Sequence, residues 1–140
     1  MTKFPQAEDA EKVGSYPSSV RAGGGYVWDA VLEYRVWCSP RLGAEDLEDG
    51  SDYYYAFADY EAAASFFESV KGGTPPLALI RQDEYIDEPN PGEFVHIREV
   101  RIAEWSVEFL TRPRRTERTI PDFFSPDAPP NRMDILRGAA

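Results

Sequence analysis

The sequence predicts an α+β fold, a two-layer sandwich in which an antiparallel sheet of about four strands carries one helix. Three observations lead to this fold class. Apolar and polar residues alternate from Tyr26 to Cys38, and apolar residues recur at helical spacing after Asp59. Alternation then resumes on both sides of a turn-rich segment at 87–92. The predicted order along the chain is strand, strand, helix, strand, strand.

The first predicted strand runs from Tyr26 to Cys38. Every even position in it is apolar or aromatic, whereas the odd positions include Glu33 and Arg35. This period of two is typical of a strand with one buried face. Further apolar residues at odd positions, such as Trp37, suggest that an arm or a partner partly covers the second face.

A loop at 39–52 separates this strand from a second one, predicted for Tyr53–Ala58. The helix follows at once, because Asp59 occupies an N-cap position and an apolar stripe begins behind it. Gly72 and the glycine after it end the helix after about 12 residues.

The last two strands form a predicted long hairpin. Leu77–Ile86 is its first strand, the residues 87–92 form a six-residue loop, and the second strand begins at Glu93. Glu99 and Arg101 interrupt the apolar alternation, which predicts a bulge or a twist there.

Both ends of the chain lack this periodicity. Residues 1–25 are polar and end in three glycines, which predicts a flexible N-terminal arm. Residues 26–110 form the α+β domain, and residues 111–140 form a basic, Pro-rich tail that packs on the domain or on a partner. The prolines at 121–130 predict an extended backbone without a helix, and 131–136 could form one short helical turn.

Composition limits the function classes. The chain has 140 residues and a net charge of −10, so one acidic domain is expected, and nucleic acid is not an expected partner. The charge is divided unevenly. Residues 1–110 carry nine basic and 21 acidic residues, a net charge of −12, whereas 111–140 carry six basic and four acidic residues, a net charge of +2.

The cellular compartment is predicted from three features that the sequence lacks: a pair of cysteines, an apolar leader segment and a membrane-spanning run. Cys38 is the single cysteine, so no internal disulfide can form. The first 20 residues have no apolar leader segment, and no run of residues is long and apolar enough to span a bilayer. We therefore predict a cytoplasmic protein that does not enter a membrane.

The residue pattern points to no catalytic, metal or cofactor site. His96 is the single histidine and could act with Cys38, but no nucleophile motif surrounds either residue. The acidic loop at 45–52 fails the spacing of a calcium loop, since Leu47 and Ala56 fall on ligand positions. An enzyme is not excluded, but a non-catalytic protein is favoured.

The basic tail holds the main candidate binding residues. Arginine can bind a carboxylate or a phosphate through two parallel hydrogen bonds, and a Phe pair between prolines is suited to anchoring the tail. The tail could close on its own acidic body, or it could bind an acidic partner or a phosphate ligand. The candidates are Arg112, Arg114, Arg115, Arg118, Phe123, Phe124 and, on a predicted strand, His96.

A homodimer is also predicted. One helix of about 12 residues covers only part of a four-stranded sheet. The tail or a second subunit has to cover the remainder, so self-association is one expected interaction.

Three segments together resemble a family of small uncharacterised bacterial proteins, some of which carry an automatic label of GCN5-related acetyltransferase. They read YVWDAVLEYRVWCSPRLGAEDLEDGSDYYYAFADYEAA, EYIDEPNPGEF and RPRRTERTIPDFFSPDAPPNR. The label implies an acetyl-CoA pyrophosphate loop of the form Gln/Arg-x-x-Gly-x-Gly/Ala between a strand and a helix. Arg21 and Gly24 match this form, whereas Tyr26 stands where Gly or Ala is required.

The sequence therefore supports a non-catalytic binding or regulatory module that acts through protein contacts. The alternative is an acyl-CoA-dependent N-acetyltransferase-like protein without a recognisable acetyl-CoA loop. A small-ligand enzyme that uses His96 is a third hypothesis.

Overall fold

A five-stranded mixed sheet is the largest element of the computed structural model, which describes residues 4–140. Its strand order is β1-β7-β4-β2-β3, and β5 and β6 form a second, two-stranded sheet. The strands are β1 Arg21–Ala22, β2 Ala30–Cys38, β3 Tyr53–Phe57, β4 Leu77–Gln82, β5 Tyr85–Asn90, β6 Glu93–Ile97 and β7 Arg101–Ser106. The α-helices are α1 Tyr60–Ser69, α2 Thr119–Phe124 and α3 Arg132–Leu136, and short 3₁₀ turns lie at Ala10–Lys12, Pro40–Leu42 and Val107–Thr111.

The α+β class is confirmed, whereas the antiparallel four-stranded sandwich is wrong in detail. β2 pairs with β3 in antiparallel orientation, but β1 pairs with β7 in parallel, which makes the sheet mixed. β1 has only two residues, both exposed, and it lies within the segment predicted as a flexible arm. A strand of two exposed residues has no apolar period, so the sequence contains no signal for it.

The predicted long hairpin is divided into four strands. The first half breaks after Gln82, because the backbone N–H of Asp83 donates to the carboxylate of Asp29 at 2.7 Å instead of extending the strand. The second half breaks at 98–100, where the sequence predicted a bulge. The hairpin turn is also shorter than the predicted six residues, since β5 continues to Asn90 and the strands are joined by two residues.

Helix α1 follows its local signals. The Asp59 side chain accepts the N–H of Ala62 at 2.8 Å, which confirms the predicted N-cap. The helix has 10 residues and ends at Ser69, slightly before the predicted end.

The expectation that prolines exclude a helix from 121–130 is wrong at its start. Helix α2 contains Pro121 as its third residue. A proline in the first turn costs no hydrogen bond, because the N–H it lacks would have no partner within the helix. The short turn predicted for 131–136 forms helix α3.

The chain forms two compact units. The first, here called the amino-terminal unit, comprises the residues up to Ser19 and Val31–Leu79. The second, the carboxy-terminal unit, comprises Val20–Ala30 and Ile80–Ala140. Within residues 4–140, no helix is long and apolar enough to cross a bilayer.

A buried ion pair lies in the amino-terminal unit. Arg35 Nε is 2.7 Å from Glu33 Oε2, and both side chains are 0% exposed. Arg35 also donates to the carbonyls of Pro17 at 2.5 Å and Ser18 at 3.3 Å, and Glu33 accepts the N–H of Gly14 at 2.8 Å. The segment at 14–18 therefore covers the second face of β2, as an arm was expected to do.

Other contacts hold the start of the described chain. Phe4 is buried and its ring packs on that of Tyr60 at a centroid distance of 4.8 Å. The Tyr34 hydroxyl donates to the carbonyl of Pro5. The flexibility predicted for residues 1–25 stays a prediction, and residues 1–3 lie outside the described part of the chain.

We expect Arg35→Ala to lower the free energy of unfolding by about 3–5 kcal/mol, because Glu33 would keep a buried charge without its partner. Urea unfolding followed by tryptophan fluorescence measures this change. Arg41→Ala, at an exposed arginine of the same unit, is the control and should change stability by less than about 0.5 kcal/mol. Equal losses in the two variants would contradict the role given to the pair.

Gly25 occupies a position that an alanine cannot fill. Its φ is +84°, and an added Cβ would lie 2.2 Å from Nε2 of Gln82. That amide is fixed, since it donates to the carbonyls of Gly24 at 2.9 Å and Val27 at 2.8 Å. Gly50 has a similar φ of +87° but no heavy atom within 4 Å of the added Cβ.

Gly25→Ala should therefore destabilise the protein more than Gly50→Ala. The left-handed backbone costs each variant about 1–2 kcal/mol, and the lost Gln82 hydrogen bonds add about 1–3 kcal/mol at Gly25 alone. Thermal unfolding of the two variants measures the difference. Equal melting temperatures would show that Gln82 moves aside without loss.

Candidate functional site

Strand β6 places His96 beside a carboxylate and an aromatic ring. His96 Nε2 lies 2.7 Å from Glu84 Oε1, and the imidazole is half-buried. The Phe124 ring of helix α2 stacks on the imidazole at a centroid distance of 6.2 Å and an angle of 11°. Two of the sequence-predicted residues, His96 and Phe124, are thus brought together.

Arg115 joins this cluster through the same carboxylate oxygen of Glu84 that His96 contacts. Its Nη1 lies 3.9 Å from Glu84 Oε1, and its Nε donates to Asp29 Oδ1 at 2.9 Å. The hydrogen bond to Asp29 raises the pKa of Arg115 above its ordinary value. The Arg115 backbone N–H also donates to the carbonyl of Trp28 at 2.9 Å, so Arg115 fixes the start of the C-terminal segment.

Arg112 lies against aromatic rings instead of facing an anion. Its guanidinium lies 4.7 Å from the Phe109 centroid and 5.3 Å from the Trp105 centroid, and it donates to the Tyr26 carbonyl at 3.1 Å. Burial lowers the pKa of Arg112. The guanidinium of Arg114 lies 4.9 Å from the Trp28 centroid. Arg112 and Arg114 therefore contribute cation–π packing to the carboxy-terminal unit.

The two phenylalanines of helix α2 differ in exposure. Phe123 is 4% exposed and belongs to a core cluster of the carboxy-terminal unit, whereas Phe124 is 36% exposed. The other buried members of the cluster are Val27, Ile86, Ile120 and Leu136. The Phe pair predicted as an anchor therefore packs within this chain, with Phe123 in the core and Phe124 on His96.

A cleft of about 440 Å³ lies between helices α2 and α3. Apolar side chains, including the 48%-exposed Ile135, line it together with charged ones. Arg118 lies at this cleft and pairs with Asp122 at 3.1 Å. The lining residues are Pro113, Thr116, Arg118, Thr119, Asp122, Phe123, Ser125, Asp127, Ala128, Pro129, Arg132, Ile135 and Leu136.

Arg132 is a charged cleft residue that the sequence reasoning did not single out. Its Nη1 donates to the Phe123 carbonyl at 2.8 Å, and its guanidinium lies 4.3 Å from the Phe123 centroid. Within residues 4–140, no carboxylate lies within ion-pair distance of it. A guanidinium has five N–H donors, so Arg132 retains donors for a ligand. Its place in a basic tail was the available signal.

Asp29 and Glu84 were also missed as parts of the site. Asp29 reads as one of the charged residues at odd positions of the first predicted strand, and Glu84 as one of two adjacent acids in the third predicted strand. Neither position has a local motif. They become neighbours of Arg115 only in the folded chain, in which Asp29 directly precedes β2 and Glu84 lies between β4 and β5.

The chemistry of the cluster is that of orientation and charge pairing. Glu84 holds the His96 ring and Asp29 holds Arg115, but no Ser, Thr or Cys side chain in residues 4–140 hydrogen-bonds to His96. The same residues contain no group of three or more His, Cys, Asp or Glu side chains arranged to hold a metal ion.

Comparison of the chain with protein-family models, with curated proteins and with solved structures finds no match.

Arg115→Ala should destabilise the protein more than Arg118→Ala. The side chains of the Arg115–Asp29 pair are 13% and 9% exposed, whereas those of the Arg118–Asp122 pair are 83% and 60% exposed. Loss of the shielded, charge-assisted hydrogen bonds should cost about 1.5–3 kcal/mol. Loss of the exposed pair should cost less than about 1 kcal/mol.

Urea unfolding of both arginine variants tests this difference. Equal effects would show that Arg115 does not fasten the C-terminal segment.

Proposed function

We propose that the protein is a non-catalytic binding module whose contact surface is the cleft between helices α2 and α3. The cleft carries the proposal because it combines an apolar floor with arginine side chains that have unused donors. Its volume of about 440 Å³ is in the range of sites that hold a small ligand or a few side chains.

The charge at the cleft favours an acidic ligand. Arg132 has no carboxylate partner among the described residues, and the Arg118–Asp122 pair is so exposed that it exchanges at little cost. A ligand carboxylate could bind Arg132 and compete with Asp122 for Arg118. The apolar floor, which includes Ile135 and Leu136, would hold a bulky side chain next to that carboxylate.

The proposed ligand is therefore a protein segment with a bulky apolar residue close to one or two acidic residues. This chemistry agrees with the net charge of +2 on residues 111–140. The network of Arg115 and His96 serves this function indirectly, since it fixes the segment from which the cleft is built. Self-association is the alternative form of the same binding.

The acetyltransferase-like alternative has no supporting geometry at the loop that the resemblance singles out. Strand β1 begins at Arg21, but the next regular element is strand β2, which begins at Ala30. A pyrophosphate loop depends on the N-terminus of a helix that directly follows it. The alternative stays a prediction, and a thermal-shift measurement with saturating acetyl-CoA would support it by raising the melting temperature.

Panning a displayed library of random 12-residue peptides against the full chain tests the proposed function. We expect enriched peptides to share a bulky apolar residue next to Asp or Glu. Ile135→Asp and Arg132→Glu should each weaken the binding of a selected peptide by at least about tenfold in fluorescence anisotropy, since each opposes an anion at the cleft.

Val100→Asp is the matched control, because Val100 is 66% exposed and does not line the cleft. The proposal fails if no consensus emerges. It also fails if a selected peptide binds the Ile135→Asp variant and the unmodified chain equally well.

A further inference from the structure

Strand β3 lies at one end of the five-stranded sheet, with β2 as its neighbour. The register pairs Trp37 with Tyr54 and Arg35 with Ala56. One long side of β3 therefore faces no other strand of the sheet.

The hydrogen bonds of β2 identify which groups point to that open side. The carbonyl of Trp37 accepts the N–H of Thr74 at 2.8 Å, and the N–H of Ser39 donates to Gly72 at 3.0 Å. The backbone N–H and C=O groups of the odd-numbered residues at this end of β2 thus point away from β3. Because Trp37 pairs with Tyr54, the N–H and C=O groups of Tyr54 and, by alternation, Ala56 point outward from β3.

These outward groups have no backbone partner within residues 4–140. The nearest outward backbone group that has a partner lies just beyond the strand, where the carbonyl of Ala58 accepts the N–H of Ala7 at 2.7 Å. The open edge therefore extends over the five residues of Tyr53–Phe57. It contains no proline and no charged residue, which are the usual devices that stop another strand from pairing.

Aromatic side chains flank this edge on both faces of the sheet. Tyr55 is 41% exposed and packs on Phe66 of helix α1 at a centroid distance of 4.8 Å. Tyr54 packs on Trp37 on the other face at 4.9 Å. A strand added here would pair with the backbone and place its side chains beside these rings.

The surroundings of the edge are acidic. Residues 39–71 contain eight acidic and two basic residues, a net charge of −6. The acids lie on both sides of the uncharged strand, with Asp49 and Asp52 before it and Asp59 and Glu61 after it.

This distribution argues against a second copy as the added strand. An antiparallel pairing of two copies centred on Tyr55 would place Asp52 of each copy opposite the region of Asp59 of the other. Four carboxylates would then approach one another at the two ends of the pairing, and like charges across strands are destabilising.

We propose that the outer edge of β3 binds an extended protein segment that carries basic residues at both ends of a short, uncharged, strand-forming stretch. Main-chain hydrogen bonds to Tyr54 and Ala56 supply the docking, and the acids at either end of β3 select the charge. This surface lies in the amino-terminal unit and is independent of the cleft between helices α2 and α3.

A fluorescein-labelled peptide, Lys-Lys-Thr-Val-Thr-Val-Thr-Lys-Lys, serves as the probe in anisotropy titrations with the full chain. We expect saturable binding that weakens several-fold when the ionic strength rises from about 0.05 to 0.5 M. A probe with Glu in place of each Lys should not bind. A probe with alternate backbone amides methylated should bind at least about tenfold more weakly, because it cannot complete the ladder.

Ala56→Pro tests the edge itself, since it removes an outward N–H and leaves the ladder to β2 intact. It should weaken binding at least about tenfold, given one lost hydrogen bond and a clash with the added strand. The double variant Asp49→Asn with Asp52→Asn should weaken binding without affecting the backbone. Ile135→Asp, at the separate cleft, should leave probe affinity unchanged.

Equal affinity for the methylated and unmethylated probes would overturn the proposal. This comparison changes only the probe and uses the unmodified protein. Equal affinity of the unmodified chain and a folded Ala56→Pro variant would also overturn the proposal. Light scattering after size-exclusion chromatography tests whether a second copy of this chain binds at the edge. A dimer that Ala56→Pro converts to a monomer would show that a second copy pairs at this edge and that the basic segment does not.

Discussion

The buried pair of Glu33 and Arg35 constrains the whole amino-terminal unit. Two charges without water are stable only while every remaining donor and acceptor is satisfied. The carbonyls of Pro17 and Ser18 and the N–H of Gly14 supply the missing partners. The segment at 14–18 and strand β2 therefore depend on each other, because the strand cannot bury its charged face without the segment.

The carboxy-terminal unit has a comparable dependence between a core and a segment that looks peripheral. Helices α2 and α3 have six and five residues, too few to be stable alone in water. They persist because Phe123 and Leu136 pack into the apolar cluster and because Arg115 holds the segment before them.

Features that depend on residues close together in the sequence were predicted, whereas features that depend on residues far apart in the sequence were not. Helix α1 and its Asp59 cap were predicted, since a cap and an apolar stripe act within a few residues. The break of the predicted hairpin after Gln82 was not predicted, because it depends on the distant Asp29 carboxylate. Likewise Arg115 and His96 were found as candidates, but Asp29 and Glu84, the acids that orient them, were not.

The sequence by itself determined the α+β class, the alternation of strand β2, the helix after β3 and the separation of an acidic body from a basic tail. Those properties depend on local periodicity and composition, which need no knowledge of partners far along the chain. The tertiary structure alone decided the mixed sheet, the burial of Glu33 with Arg35, and the joining of His96 to Arg115 through Glu84. Each of these depends on contacts between residues more than ten positions apart, or on burial of a local pair by residues that far away. No local sequence pattern encodes such contacts.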